Sequence, residues 1–326
     1  MKNANRVGGM RLVTGVAVVG AVCCLSGLQA HAGNWSGGPQ VGQGYWGGSA
    51  TYSIGGELLS PQDGKKQLPD KISELKFPLG VVYVSLGGYL QYKDSLDIHG
   101  SAMVNVTDPS AKMEDSDWGQ FEGSSEDTLD TYSESDAGLT AVAADLGVHY
   151  WFLKAAEARK LKWAVGVGPG ISYQHLDWTL SNLDQWYPSH PRVGHDYVGG
   201  DVITYKSDNV LPYVSASGKL KFKQLSGSIE IGVGAAFVSD EDDHLLRKIL
   251  ATTDMIGFGV KGAAEIRYEF SSGVFVLAHL SALSITASGT EEDKDYGGED
   301  PGKTWEIDHD YSLISANGGL AVGYAF

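Results

Sequence analysis

The stretch "MIGFGVKGAAEIRYEF" (255–270) decides the fold. Alternate positions read Ile256, Phe258, Val260, Gly262, Ala264, Ile266, Tyr268 and Phe270, while those between read Gly257, Gly259, Lys261, Ala263, Glu265, Arg267 and Glu269. Side chains of a strand alternate between two faces, so strict period two with every charge on one side predicts a β-strand. A soluble sandwich would turn the charged face to water. A membrane barrel inverts that assignment, with the apolar face on lipid and the charges in the lumen.

Working outward, the pattern recurs. At 228–238, Ile229, Ile231, Val233 and Phe237 oppose Ser228 and Glu230; at 212–222, Val214, Ala216, Leu220 and Phe222 oppose Ser215, Ser217, Lys219 and Lys221. At 161–173, Leu161, Trp163, Val165, Val167, Ile171 and Tyr173 oppose Lys162, Gly166 and Gly168. Beyond the N-terminal leader no segment offers eighteen consecutive apolar residues, which excludes a helical membrane protein. The 44 Gly, 16 Tyr and 8 Trp suit a barrel better than a soluble domain.

The connections set the topology. Tight links at 93–95, near 154–160, at 223–225 and at 271–273 alternate with long polar ones near 57–71, 107–133, 179–206, 240–253 and 288–308. Short turns on one rim and long loops on the other characterise bacterial outer-membrane barrels. The links separate ten strands, at about 46–56, 72–92, 96–106, 134–152, 160–178, 207–222, 226–239, 254–270, 273–287 and 309–326. The expectation is an all-β, ten-stranded antiparallel transmembrane barrel with long extracellular loops, one domain over 33–326, and a Gly-rich leader from Gly33 to Tyr45.

Both ends agree with that address. Lys2, Arg6 and Arg11 precede the apolar run 12–28 and "AHA" at 30–32, which reads as a signal peptide over 1–32. Cys23 and Cys24 leave with it, so the mature chain is expected to hold no disulfide. The C-terminal "GGLAVGYAF" ends an alternating strand on Phe326, as outer-membrane barrels do. Losing three basic residues with the leader leaves 21 Lys and Arg against 40 Asp and Glu, a net of −19. That field attracts cationic partners and repels nucleic acid.

The acids gather in the polar links, as "EDSDW" (114–118), "SDEDDH" (239–244) and "TEEDKD" (290–295). Asp115-Ser116-Asp117-Trp118 and Asp242-Asp243-His244 stand at strand ends on the same rim. In these motifs, their order and their spacing, the chain resembles the omptins, outer-membrane endopeptidases built on a ten-stranded barrel. "VLPYVSASGKLKF" (210–222) and "GYAF" (323–326) are similar as well, and the likeness runs from about Trp46 to Phe326.

That resemblance implies four catalytic residues. His244 would be the general base, with Asp242 orienting its imidazole. Asp115 and Asp117 would hold the attacking water and stabilise the tetrahedral intermediate, sharing protons because two carboxylates in one site resist joint ionisation. The mature chain has no cysteine and no G-x-S-x-G at a strand end. No metal is expected, since two Asp-rich segments without a second histidine make a poor zinc site. Asp240 matches one acid of the family's pocket for a basic side chain; "GELLSPQDGKK" (56–66) offers no clear match for the other. Omptins bind lipopolysaccharide as an activator through a basic and aromatic constellation. Here Tyr173 persists, while His175, Asp177 and Asp208 replace the rest. The expected partners are polypeptides and outer-membrane lipid, with no cofactor beyond lipopolysaccharide. The rival reading is an inactive barrel of the same shape, acting as a porin or an adhesin.

Overall fold

The computed structural model describes residues 34–61, 64–121, 123–154 and 161–326. The expected signal peptide over 1–32 and most of the link near 154–160 lie outside the described residues. The strands are β1 (Trp35–Ser60), β2 (Gly64–Gln67), β3 (Ser73–Pro78), β4 (Val81–Tyr92), β5 (Leu96–Asn105), β6 (Met113–Trp118) and β7 (Leu129–Lys154). They continue as β8 (Leu161–Trp186), β9 (His195–Phe222), β10 (Leu225–His244), β11 (Ile249–Glu269), β12 (Val274–Asp295) and β13 (Thr304–Tyr324). Each strand from β7 to β13 pairs antiparallel with the next in sequence, and β1 pairs with β13 from Gln40↔Gly323 to Leu59↔Glu306, closing the ring.

Ten staves result. β3 and β4 form one, both lying on β1; β5 and β6 form another, both lying on β7. The break in the first stave falls at Pro78-Leu79-Gly80, where Gly48 of β1 adopts φ 128° and accepts a hydrogen bond from Leu79 N at 2.9 Å. The short β2 folds back on the end of β1.

Closure needs more of the N-terminus than the expected leader allows. β1 begins at Trp35, where it faces Tyr92, eleven residues before the expected start. The reason is packing: a Cβ on Gly44 would lie 2.2 Å from Gly318 O and 2.5 Å from the Tyr83 hydroxyl. Glycine lets the strand approach its partners and at the same time erases the side-chain alternation that marks a strand.

The long polar links also differ from expectation. Those at 179–206, 240–253 and 288–308 are mostly continued strand, since β8 runs to Trp186, β10 to His244 and β12 to Asp295. The link at 107–133 contains β6. A membrane crossing takes about 9–11 tilted residues, and β9 has 28. The excess rises above the bilayer as a hydrogen-bonded wall.

The outward faces mark where lipid ends. Ile256 and Ile266 are 68% and 61% exposed, in one row with Phe258 and Val260. Above them the same outward row continues as Asp254 and Thr252; above Phe237 come Ser239 and Glu241. Inside the belt lie Lys261 on Asp145 (2.6 Å), Lys219 on Asp97 (2.9 Å) and Arg267 on Glu269 (2.8 Å). This charged interior surrounds a cavity of about 1090 Å³ that reaches the short-turn rim at Asp94, Lys154 and Lys223. Above it an aromatic layer fills the lumen: Phe77 stacks on Tyr205 at 4.1 Å and meets Trp178 at 5.3 Å, and Trp46 and Leu176 are fully buried beside them.

Val260→Arg, near the middle of this outward row, should lower stability by about 2–4 kcal/mol, whereas Thr252→Arg, above the belt, should cost no more than about 1. Urea titration of barrels folded into lipid vesicles measures both.

Candidate active site

The site stands on the strand wall above the apolar belt. Inward positions of β10, β11 and β12 face one another in rows, Asp240↔Thr253↔Glu291 and, one step higher, Asp242↔Ala251↔Asp293. Strands in a sheet lie about 4.8 Å apart. The small Ala251 and Thr253 therefore leave a slot with carboxyl groups on both sides.

His244 ends β10, with Nε2 3.3 Å from Asp242 Oδ2. Tyr52 reaches across the lumen from β1, and its hydroxyl donates to the same Asp242 oxygen. Burial alone would raise the Asp242 pKa, but the charge and hydrogen bond of His244, helped by Tyr52, hold it below the usual carboxylate range. Tyr52 itself is driven well above 10 by burial and by the Asp242 charge, so its hydroxyl stays a donor. Asp242 is thus an ionised carboxylate in a closed setting, held for the imidazole.

Asp115 and Asp117 project from β6, opposite Leu75 and Ser73 of β3. Burial and then the Asp117 charge lift Asp115 well above its ordinary value. Burial also raises Asp117, against a hydrogen bond from Ser73. The pair and the dyad share one electrostatic field: Asp117 senses His244, and Asp115 senses Asp242. Asp115 Oδ1 is buried without a hydrogen-bond partner among the described residues.

Asp240 lies one step deeper than Asp242 and is 5% exposed. Tyr205 donates to it at 2.6 Å, and His309 Nε2 stands 3.7 Å from the same oxygen. On its other side His309 Nδ1 meets Glu291 at 2.5 Å. Burial disfavours the imidazolium, yet the nearby Asp240 carboxylate and the hydrogen bond and charge of Glu291 lift His309 to about 9. Burial, followed by the charge and hydrogen bond of Glu291, lifts Asp293 to about 8. The hydroxyls of Tyr52 and Tyr205, both members of the aromatic layer, form the floor of the cleft.

The five sequence-predicted residues therefore gather on one side of the aromatic layer. Tyr52, Glu291, Asp293, His309 and Arg247 join them without having been singled out. His309 carried a readable sign: in "EIDHDYSL" (306–313) it shares the alternating inward face with Ile307, Tyr311 and Leu313. Glu291 and Asp293 sat in a run that reads as solvated acid. Tyr52 has no sequence mark, because its partner is 190 positions away. On the outer wall Tyr173 donates to Asp208 at 2.6 Å and His175 Nδ1 lies 2.9 Å from the same oxygen, so the persisting tyrosine and two of the replacing residues bond to one another.

A profile of the omptin family matches residues 63–304. No curated protein matches the chain in sequence. Among solved structures, the outer-membrane protease OmpT from Escherichia coli superposes with a TM-score of 0.68 at 17% identity, covering 91% of this chain and 98% of that one. The translocator domain of the autotransporter NalP from Neisseria meningitidis reaches a TM-score of only 0.32 at 10% identity, covering 97% and 96%.

The two raised groups make stability depend on pH. Folded Asp293 keeps its proton to about pH 8, whereas an unfolded Asp loses it near 3.9; folded His309 keeps its proton to about 9, against about 6.5 unfolded. In both cases the folded state binds more protons, so stability falls as pH rises, from about 4 to 8 for Asp293 and from about 6.5 to 9 for His309. Urea midpoints in detergent should therefore drop between pH 6.5 and pH 9, and Asp293→Asn should flatten the fall.

Proposed function

Omptins are outer-membrane proteases and this chain belongs to that family; on that premise we propose that it is an endopeptidase cleaving extracellular, cationic polypeptides by water attack. The observation carrying this reading is His244 held by Asp242, itself fixed by Tyr52, across from an acid pair with raised pKa values.

In the proposed reaction a water between His244 and Asp115 loses a proton to His244 Nδ1. Its oxygen attacks the scissile carbonyl carbon, and the carbonyl π electrons move to oxygen. Nε2 stays on Asp242, whose negative charge stabilises the imidazolium that forms. Asp115 and Asp117, at least one of them protonated, hydrogen-bond the water and then the oxyanion. The imidazolium passes its proton to the amide nitrogen as the C–N bond breaks, which restores the neutral base. Such proton transfer is worth about 10²–10⁴-fold.

For specificity, Asp240 and the Glu291–Asp293 pair present negative charge on the inner wall to a basic side chain next to the cleaved bond. The long-hairpin rim, where the acids of the mature chain concentrate, would face the cell exterior and draw cationic chains in. The aromatic layer separating the cleft from the lower cavity supports this reading over an open porin.

His244→Ala and Asp115→Ala should each lower cleavage of cationic peptides by about 10²–10⁴-fold while the barrel keeps its heat-modifiable mobility on gels. Chelators should leave the wild type active. Unchanged cleavage by His244→Ala would sink the dyad assignment. Asp240→Asn should lower the preference for Arg or Lys at the cleaved bond more than it lowers turnover. An unchanged preference would leave Asp240 a structural acid under His309.

A further inference from the structure

Arg247 belongs to the turn 245–248 between β10 and β11. The turn is tight: Lys248 takes φ 56° and its N–H donates to His244 O at 2.7 Å. This directs the otherwise exposed Arg247 back over the cleft, where Nη2 lies 2.7 Å from His244 Nδ1 and 3.2 Å from Nε2. With Asp242 on Nε2, both ring nitrogens are engaged. An atom this close to both nitrogens stands over the ring face on its Nδ1 side, so the guanidinium covers the approach by which a water would reach Nδ1.

The guanidinium also balances the charge of the cleft. Asp115, Asp117, Asp242 and Asp293 are each eased towards ionisation by the Arg247 charge. They approach from β6, β10 and β12, three separate walls. Withdrawing the cation without a replacement would leave these groups facing one another in a poorly solvated slot, which is strongly unfavourable. A neutral peptide offers nothing in exchange. A peptide bearing a guanidinium or ammonium group offers the same charge, and the exchange leaves the cleft's net charge unchanged.

We propose that Arg247 is a specificity-determining residue: a resident guanidinium that covers the base nitrogen of His244 and yields it to a substrate whose own cationic side chain takes over the surrounding carboxylates. The proposal rests on the endopeptidase reading above. Because Arg247 sits on an exposed turn, it swings into solvent without disturbing a strand. Selectivity then arises in two places, in the acids that attract the cationic side chain and in the cation that must be displaced.

The test uses full-length barrels in detergent and two matched fluorogenic peptides, one with arginine at the cleaved bond and one with citrulline, its uncharged isostere. In Arg247→Ala, kcat/KM for the citrulline peptide should rise about tenfold, the value of one charged hydrogen bond, with the gain mainly in KM. The arginine peptide should gain less. Arg247→Gln, which keeps a donor without charge, should resemble Arg247→Ala, and Arg247→Lys should resemble the wild type. Added guanidinium ion should inhibit Arg247→Ala more strongly than the wild type. A fall in kcat that guanidinium restores would overturn the proposal, making Arg247 a transition-state stabiliser. Unchanged selectivity in Arg247→Ala would overturn it too. If no variant cleaves either peptide, the endopeptidase reading fails, and fluorescence anisotropy still decides the gate. Loss of arginine-over-citrulline binding selectivity in Arg247→Ala supports it, and equal selectivity refutes it.

Discussion

Every other feature depends on the hydrogen-bonded seam between β1 and β13. Lipid offers no partner for a backbone N–H or C=O, so a sheet that crosses it must close on itself. The seam runs from Gln40↔Gly323 up to Leu59↔Glu306, well past the last lipid-facing side chains. That length carries the closed wall into the aqueous space above the bilayer. The candidate residues therefore stand on ladder positions rather than on loops, and Tyr52 can be aimed across the lumen at Asp242 because both ends of the contact are fixed in register.

The upper lumen carries a concentration of acids that would be untenable if all were ionised and alone. Three devices reduce the burden. Asp242 is kept ionised by direct bonds from Tyr52 and His244. Asp293 keeps its proton to about pH 8, and Asp115 is shifted the same way, because burial and a neighbouring acid lift both. Asp240 and Glu291 share the imidazolium of His309. The devices shift the groups of one cleft in opposite directions. Such separation of states lets one cleft hold a base and an acid at the same pH.

Period two made the strands that cross lipid legible in the sequence, because lipid and lumen sort side chains sharply. Ile256 to Phe270 needed no structure to be read, and the even strand number followed from where short turns fell. The same rule failed where the sorting stops. Along 35–45 glycine leaves no side chain to sort, so the first half of β1 passed as a leader. Above the belt both faces of a stave meet water or buried acid, so "SDEDDH" and "TEEDKD" read as loops although they are ladder. Asp115, Asp117, Asp242 and His244 were found through motifs on neighbouring residues. The contacts of Tyr52 and Arg247 are encoded by no local pattern, one crossing the lumen and the other folding back around a turn.

The aromatic layer has a consequence for the cell that makes this barrel. Phe77, Trp178 and Tyr205 seal the lumen between the cleft and the cavity that opens on the short-turn rim. An outer membrane is a permeability barrier, and a ten-stranded cylinder with a continuous aqueous axis would leak ions and small toxic solutes with every copy inserted. The packed layer interrupts that axis, so each copy adds a surface cleft to the envelope without adding an aqueous path through it.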